Sequence, residues 1–345
     1  MKKNIKIFTE KYLKTVLCSI IMASLLIGTV VQINAITVNR DSEGCVQLMD
    51  FYDLDDNSVD VLFVGSSHVY YSVNTCRLYD NYGMTSYLLA SPGQPVWIGY
   101  YLLKEALKTQ TPKLIVYDVL TLSHDDSDFG NKSLETVMSM KPSITKWQAI
   151  KAVNKNEQLL EEISAFLSFP YYHTRYSELS HRRKLIRYNG YKPTFEKISS
   201  KEYHKWYEKK IKKTDAITKI SEYQEGYLMN IIQLCEEKHI PLLLVNSPAI
   251  NNTKHKQEVF NYVEKVAKEN NIHFINGNDL LEEMNIVFKD DLLEASHLNY
   301  YGAIKYTDYV GKFIKDHYKI PVKENVSHWE ETSKLFEQNE LKKLK

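Results

Sequence analysis

The sequence VDVLFVGSSH, residues 59–68, predicts a buried strand that is followed by a serine-bearing turn. Residues 59–64 form a short apolar run rich in β-branched side chains, which is typical of a strand buried on both faces of a parallel sheet. Gly65, Ser66 and Ser67 end that run, and a helix can begin directly after them. Open α/β sheets carry their reactive groups at such strand ends, although a serine in this position can also be an ordinary helix N-cap.

A second stretch, EASHLN at residues 294–299, has a carboxylate three residues before a histidine. Glu294 and His297 can share one turn of the chain. The carboxylate would then accept a hydrogen bond from Nδ1 and leave Nε2 as the base for a serine hydroxyl. Asp290 and Asp291 lie close by in the sequence and are rival partners for the same histidine.

Together these two stretches resemble the SGNH/GDSL hydrolase superfamily, in which a serine follows the first strand and a D-x-x-H pair precedes the last helix. The resemblance gives Ser67 the role of nucleophile, His297 that of the base and Glu294 that of its carboxylate partner. The stretch SPGQ, residues 91–94, is similar to the second block of the family. The resemblance therefore implies that the N–H groups of Ser67 and Gly93 form the oxyanion hole.

Three positions depart from the family pattern. Ser66 stands where the first block usually has aspartate, and Glu294 is one methylene longer than the usual aspartate. The third block, Gly-x-Asn-Asp, is missing after its strand, and Asp118 stands where an asparagine donor is expected. Because an ionised carboxylate cannot donate a hydrogen bond, the third oxyanion donor and efficient ester hydrolysis are both left open.

A further stretch, FPYYHTRYSEL at residues 169–179, resembles a segment of exported SGNH proteins related to the D-alanyl-teichoic-acid transfer protein and the alginate acetylation proteins. Many of these proteins work beside a membrane-bound O-acyltransferase, which the resemblance makes a possible partner of this chain. It also implies that His173 and Arg175 contact the acyl donor or acceptor. The alternative is that the stretch only caps a helix.

The order of elements predicts an α/β fold: a flavodoxin-like three-layer sandwich with a mainly parallel sheet of about five strands. Residues 121–213 lack a clear strand, and we interpret them as a helical insertion that roofs the carboxyl edge of the sheet. The SGNH-like domain is expected over residues 40–320, followed by a charged tail over residues 321–345. The predicted strands are residues 59–64, 85–90, 112–119, 241–246 and 272–275.

The N-terminus predicts an export signal that is retained as a membrane anchor. Lysines in residues 1–14 mark a cytoplasmic basic segment, and residues 15–39 form an uncharged stretch long enough to span a bilayer. We therefore expect a single-pass protein of the cell membrane with its domain outside the cytoplasm. Cleavage near Ala35 would instead make it a secreted protein.

Composition excludes several classes of function. A net charge of +1 with 25% charged residues argues against a nucleic-acid-binding protein. Neither a CxxC pair nor a metal-binding histidine spacing occurs, so we expect no metal and no cofactor. A bridge between Cys45 and Cys76 is conceivable outside the cell, but the sequence does not establish it.

These features lead to one functional hypothesis and two alternatives. The leading hypothesis is an extracytoplasmic O-acyltransferase or esterase that forms an acyl-serine and acts on a cell-surface polysaccharide or teichoic-acid-like polymer. The first alternative, favoured by the missing third block, is an accessory or binding subunit of a surface-polymer acylation machinery with little or no catalysis. The second is a secreted esterase of small substrates.

Overall fold

Five parallel strands form one sheet in the computed structural model, which describes residues 2–37, 42–129, 133–153, 158–173, 176–178, 187–209 and 214–344. The spatial order is β2-β1-β3-β4-β5. This is the doubly wound order of flavodoxin-like folds, so the predicted α/β class is confirmed. The strands are β1 (Val61–Gly65), β2 (Ser86–Ala90), β3 (Leu114–Asp118), β4 (Leu242–Asn246) and β5 (His273–Asn276).

Helices precede the sheet, cover both of its faces and extend past its edge. The first part of the chain contains α1 (Lys2–Ile36), α2 (Cys45–Tyr52), α3 (Ser67–Ser72), α4 (Thr75–Tyr82) and α5 (Val96–Ala106). The predicted insertion contains α6 (Leu134–Met138), α7 (Ile144–Val153), α8 (Leu159–Leu167), α9 (Phe169–Tyr172) and α10 (Ser200–Tyr207). The remainder contains α11 (Glu222–Glu237), α12 (Lys254–Glu269), α13 (Phe288–Asp291), α14 (Tyr300–His317) and α15 (Ser327–Asn339).

Strand β1 explains why the core has two halves. All five of its residues are buried, and successive side chains point to opposite faces of the sheet. Leu62 and Val64 therefore join a core cluster with α5, α11 and α12, whereas Val61 and Phe63 join a second cluster with α3, α4 and α14. The continuous apolar run is thus the consequence of burial on both faces.

The strand order also determines where a site can form. The chain passes from β1 to its neighbour β2 on one side, and later strands are added on the other side, beyond β3. Gly65 pairs with Ala90, and Val64 pairs with Tyr117, so the carboxyl ends of β1 and β3 lie side by side. In open α/β sheets this reversal of direction leaves a crevice at the strand ends.

The helices of the predicted insertion add to the core of the domain. Helix α7 packs on α5, and buried residues such as Met138, Ala149 and Ile150 extend the core on that face of the sheet. A turn with Gly190 lies against the edge strand, where the Leu88 N–H donates to the Asn189 carbonyl at 3.0 Å. A Cβ at Gly190 would lie 2.3 Å from the Leu88 carbonyl oxygen, so only glycine allows this approach.

The segment beyond residue 320, predicted to be a charged tail, packs onto the domain. Trp329 is 2% exposed, and its indole N–H donates to the Ser86 carbonyl on edge strand β2 at 3.2 Å. The Lys323 ammonium lies 2.6 Å from the buried carboxylate of Asp60. The charged composition conceals these anchors, which cover a sheet edge that would otherwise leave backbone groups unpaired.

Helix α1 contains one apolar stretch, Tyr12–Ile33, which has a mean hydropathy of 2.3 and is not buried against the rest of the protein. It is long and apolar enough to cross a membrane, and a signal sequence has the same properties.

The cysteine thiols are all free, so the conceivable Cys45–Cys76 bridge is absent from the structure. Burial raises the pKa of Cys45, Cys76 and Cys235 to about 12 in each case. Thiols of this kind are poor nucleophiles, so we assign them to the core.

Candidate active site

The turn after β1 is fixed by the neighbouring strand β3. Ser66 is the N-cap of α3 and accepts a hydrogen bond from the His68 N–H. Its hydroxyl donates in turn to Oδ2 of Asp118, the last residue of β3, at 2.9 Å. A Cβ at Gly65 would lie 2.5 Å from the Asp118 Cβ, so glycine is needed for the two strand ends to approach so closely. Ser67 then follows as the first residue of α3.

The histidine singled out from the sequence lies directly against this turn. The Ser67 hydroxyl is 2.7 Å from Nε2 of His297, although 230 residues separate the two in the chain. The other ring nitrogen, Nδ1, is hydrogen-bonded to the Glu294 carboxylate. The structure therefore brings together all three residues predicted as nucleophile, base and carboxylate partner. A carboxylate on Nδ1 selects the tautomer in which Nε2 can accept the serine proton.

The loop that carries Glu294 and His297 is anchored by a buried asparagine that the sequence reasoning missed. Asn299 is the N-cap of α14, and its amide oxygen accepts from the N–H groups of Tyr301 and Gly302. Its amide nitrogen donates to the carbonyls of Glu196, Asp290 and Leu292 at 3.2, 2.8 and 3.2 Å. One side chain thus joins the start of α14 to the catalytic loop and to the segment around Glu196. The signal available in the sequence was an Asn-capped helix immediately after the histidine.

The rival carboxylates are occupied elsewhere. Asp290 is exposed and pairs with Lys197 at 2.7 Å. Asp291 is buried, accepts from the Val287 N–H at 2.6 Å and pairs with Lys305 at 2.7 Å. Neither carboxylate bonds to the histidine, so Glu294 is the partner that the geometry selects.

Hydrogen bonds keep Glu294 ionised. Burial by itself raises the pKa of this carboxyl, but hydrogen bonds from His297 and Ser296 outweigh burial and lower the pKa to about 2. Both the hydroxyl and the N–H of Ser296 donate to the carboxylate, at 2.6 and 3.1 Å. A negative charge beside Nδ1 stabilises the imidazolium that forms when His297 takes a proton.

His68, which follows the nucleophile, has a structural partner of its own. Its Nδ1 lies 2.9 Å from the Ser247 hydroxyl at the end of β4, and the ring is fully buried. Burial lowers the pKa of His68 well below its usual value, and the nearby His297 and Lys256 lower it further. The ring therefore stays neutral and packs 4.9 Å from that of His297, centroid to centroid.

A small pocket of about 190 Å³ opens beside Ser67. Gly93, the predicted oxyanion donor, lies on its wall in a turn with φ of +55°, a conformation that favours glycine. The predicted pair of donors, Ser67 and Gly93, therefore lines one cavity. The lining residues come from the ends of several strands: Ser66, Ser67, His68, Gly93, Leu120, Thr121, His124, Asp128, Phe129, Asn251, Lys256, Ser296 and His297.

Asp118 is not an oxyanion donor in this structure, as the departure from the family pattern anticipated. It is buried under the turn and outside the pocket lining, and it accepts from Ser66 and, at 3.4 Å, from the Leu120 N–H. Burial raises the pKa of Asp118 to about 6, although the bonds from Ser66 and Leu120 and the charge of His297 lower it. Its role is to hold the turn that presents Ser67.

Two further polar residues on the pocket wall were missed. Thr121, three residues after β3, is buried and lies on the pocket wall. Lys256, in the first turn of α12, supplies an ammonium group; burial lowers its pKa, while Glu294 raises it. A polar residue shortly after an apolar strand was the available signal for Thr121. No local pattern marks Lys256, because helix packing alone brings it to the wall.

His173, one of the two substrate contacts predicted in the insertion, does not line the pocket. His173 is exposed at the end of α9, with its ring 6.1 Å from that of Phe169, and it is not among the residues that line the pocket. Arg175 lies outside the described residues. Within the described ranges, no group of three His, Cys, Asp or Glu side chains is arranged to hold a metal ion.

Comparisons with known proteins add three structural neighbours. No protein-family model and no curated protein matches the chain significantly. A protein of the G-D-S-L lipolytic family from Desulfitobacterium hafniense DCB-2 is 12% identical over 74% of this chain and 99% of that chain, with a TM-score of 0.39. The acetyl xylan esterase AlAXEase is 13% identical over 74% and 98%, with a TM-score of 0.36. A gut microbial diltiazem-metabolizing enzyme is 12% identical over 76% and 48%, with a TM-score of 0.34.

Proposed function

We propose that this chain is a serine esterase or O-acyltransferase of the SGNH type that acts on short acyl groups of a cell-surface glycopolymer. The observation that carries the proposal is the hydrogen-bonded series from Ser67 through His297 to Glu294 at the end of β1. A serine hydroxyl is a poor nucleophile until a base takes its proton, and here the base stands 2.7 Å away.

The first half of the reaction loads the acyl group onto the enzyme. His297 Nε2 takes the Ser67 proton as the serine oxygen bonds to the ester carbonyl carbon. The resulting oxyanion accepts hydrogen bonds from the N–H groups of Ser67 and Gly93, and the Thr121 hydroxyl is available as a third donor. His297 then gives its proton to the leaving alkoxide as the original ester bond breaks, which leaves an acyl-serine. Removal of one such oxyanion donor typically costs about 3 kcal/mol of transition-state stabilisation.

The second half releases the acyl group by the same route in reverse. An incoming hydroxyl gives its proton to His297 and attacks the acyl carbon, and the proton returns to Ser67 as the acyl-serine bond breaks. Water as the nucleophile gives hydrolysis, whereas a sugar hydroxyl gives transfer. Both outcomes pass through the acyl-enzyme, so they differ only in the nucleophile that enters the pocket, water or a sugar hydroxyl.

The size of the pocket favours a short acyl group. Its volume of about 190 Å³ is smaller than the ligand sites of about 300–1,000 Å³ that enclose drug-sized molecules. Among the described residues that line it, Leu120 and Phe129 carry the large apolar side chains. A pocket of this volume does not enclose a long lipid chain, which argues against a lipase.

Three features support a role at the cell surface. The stretch Tyr12–Ile33 can anchor the chain in a membrane, and the lysines before it favour a cytoplasmic N-terminus. The likeness to exported SGNH proteins adds a membrane-bound O-acyltransferase as the proposed source of acyl groups. The acceptor would be a surface polysaccharide or a teichoic-acid-like polymer.

A labelling experiment tests the catalytic part of the proposal. The full chain in detergent is treated with a fluorophosphonate probe and assayed separately for hydrolysis of p-nitrophenyl acetate. We expect covalent labelling at Ser67 and release of p-nitrophenol, both lost in Ser67→Ala. A folded chain that binds polymer but shows neither reaction would instead identify an accessory binding subunit.

A fusion experiment tests the location. Alkaline phosphatase joined after Lys345 is active only outside the cytoplasmic membrane, so we expect an active fusion. A cytoplasmic reporter joined at the same residue should be inactive. The reverse pattern would overturn the proposed topology.

A further inference from the structure

A second cavity lies next to the Ser67 pocket, and the proposed reaction does not use it. This groove of about 470 Å³ falls within the usual size range of small-ligand sites, about 300–1,000 Å³. Aromatic side chains form part of its wall, namely Trp206 and Tyr207 at the end of α10 and Phe288 at the start of α13. Tyr207 is 51% exposed, and its ring stacks on that of Tyr203 with 5.3 Å between the centroids.

The other walls carry groups that bind hydroxyls. Asn252, Gln257 and Asn278 supply side-chain amides to the lining. The Asn252 amide nitrogen donates to Gln257 at 2.9 Å, while its Oδ1 is buried without a hydrogen-bond partner among the described residues. A buried acceptor without a partner is costly, and a ligand hydroxyl would satisfy it.

One short loop separates the groove from the nucleophile. Ile250 and Asn252 line the groove, whereas Asn251 between them lines the pocket of Ser67. The Asn251 Oδ1 is likewise buried without a partner in the described part of the chain. Consecutive residues of one loop thus line two adjoining cavities.

Helix α10, which carries the aromatic rings, is also tied to the catalytic loop. The Glu202 carboxylate accepts a hydrogen bond from the Ala295 N–H at 3.1 Å. Ala295 lies between Glu294 and His297, so the aromatic rings and the base are held by one connected set of contacts.

The charges of the groove select against a polyanion. Asp279, Glu282 and Glu283 are among its lining residues, and no lysine or arginine of the described ranges lines it. Lys205 and Lys209 lie at one end of the groove, where their ammonium groups are 5.5 and 5.4 Å from the Trp206 ring centroid. A chain of phosphate or carboxylate groups would meet three like charges along the wall.

We infer that the groove is the acceptor subsite for an uncharged saccharide chain, bound by stacking of a sugar ring on Trp206 or Tyr207. Sugar hydroxyls would bond to Asn252 and Gln257, and the neighbouring ring would present a hydroxyl or an O-acyl group to Ser67. This inference rests on the proposed function and narrows its substrate to neutral glycans. Aromatic faces with side-chain amides suit sugars, because a sugar ring has apolar C–H faces and a rim of hydroxyls.

Calorimetric titration tests the inference without any turnover. The full-length Ser67→Ala chain is titrated with cellohexaose, xylohexaose and chitohexaose, and with polyglycerol phosphate as the anionic polymer. We expect at least one neutral hexasaccharide to bind and the anionic polymer not to bind. In the same background, Trp206→Ala should lower the affinity for the neutral saccharide by about tenfold, since the loss of a stacking contact has an effect of that order. Trp206→Phe should restore much of the affinity.

Lys201→Ala is the matched control, because Lys201 is exposed on the same helix and outside the groove lining. It should change affinity by less than about twofold. Failure of all three neutral saccharides to bind, binding of polyglycerol phosphate alone, or an unchanged affinity in Trp206→Ala would overturn the inference. The labelling of Ser67 is measured separately. Absence of saccharide binding to the groove can therefore be distinguished from absence of catalysis at Ser67.

Discussion

The turn that carries Ser67 and the loop that carries His297 are held in place by different kinds of contact. Ser66 and Asp118 are both buried and join two strand ends that lie 52 residues apart in the sequence. Glu294 and His297 are three residues apart, and the Glu294 side chain is 37% exposed. The nucleophile is therefore positioned by the core of the sheet. The base and its partner are bonded to each other within one turn of a polar loop, which the buried Asn299 anchors.

This difference shows on which side of the site a substitution can reduce catalysis without reducing the stability of the fold. On the base side, a substitution can remove a catalytic hydrogen bond while the core remains intact. On the nucleophile side, the residues around Ser67 are part of the core, so substitutions there change the folded state as well. The substitutions predicted below test this contrast between the nucleophile side and the base side.

The largest effect is expected at the nucleophile. Ser67→Ala should abolish labelling by a fluorophosphonate probe, because the Ser67 hydroxyl is the group that is hydrogen-bonded to the base, Nε2 of His297. Ser66→Ala is the matched variant: it should keep the label while losing thermal stability. Loss of an N-cap typically costs about 0.5–2 kcal/mol. Mass spectrometry of the labelled peptide and thermal unfolding give the two readouts. A label on Ser66 would mean that Ser66, and not Ser67, is the nucleophile.

The next effect is expected at the carboxylate of the base. Glu294→Gln should lower turnover of p-nitrophenyl acetate by about 10⁴-fold, since the amide can select the wrong tautomer of His297. Glu294→Asp should lower it less, because a carboxylate remains. Because the pKa of Glu294 is held at about 2, its charge should not contribute to the pH profile at neutral pH. Unchanged activity in Glu294→Gln would leave a Ser67–His297 dyad.

A smaller effect is expected at Asp118, and it should appear in stability. Burial raises the pKa of this carboxyl from 3.8 to about 6, so between these values the folded protein binds more protons than the unfolded chain. The free energy of unfolding therefore falls as pH rises through this window, by roughly 3 kcal/mol in total. Asp118→Asn should flatten this pH dependence.

Turnover in Asp118→Asn should fall by less than about tenfold, because the amide oxygen can still accept the Ser66 bonds. The measurement is the midpoint of thermal unfolding at a series of pH values, for this variant and the parent. Parallel curves for the two proteins would contradict the assigned role of Asp118.

The smallest effect is expected at the exposed rival carboxylate. Asp290→Asn should leave the rate of Ser67 labelling within about twofold of the parent, because its ion pair with Lys197 is at the surface. Asp291→Asn is the contrasting variant: it should lower thermal stability, because it breaks a buried pair with Lys305. A loss of labelling in Asp290→Asn at unchanged stability would mean that the base loop rearranges when substrate binds.

Much of the fold could be predicted because its signals are local. The apolar runs over β1, β3 and β4 identify buried strands, and their alternation with helices identifies a doubly wound sheet. The packing of the C-terminal segment could not be predicted, because its charged composition outweighs Trp329 and Phe336, the two aromatic residues that anchor it. A charged helix with only two buried rings has the composition of a solvated tail, so its docking cannot be inferred from composition.

The sequence by itself determined the order of strands along the chain, the serine turn after β1, and the Glu294–His297 spacing, because each depends on neighbouring residues. The tertiary structure decided which strand ends meet, and with them the bond from Ser66 to Asp118. It also decided that Thr121 and Lys256 join the Ser67 pocket and that Trp206 and Asn252 share one groove. These pairings depend on how distant segments return to one edge of the sheet, and no short-range pattern encodes that path.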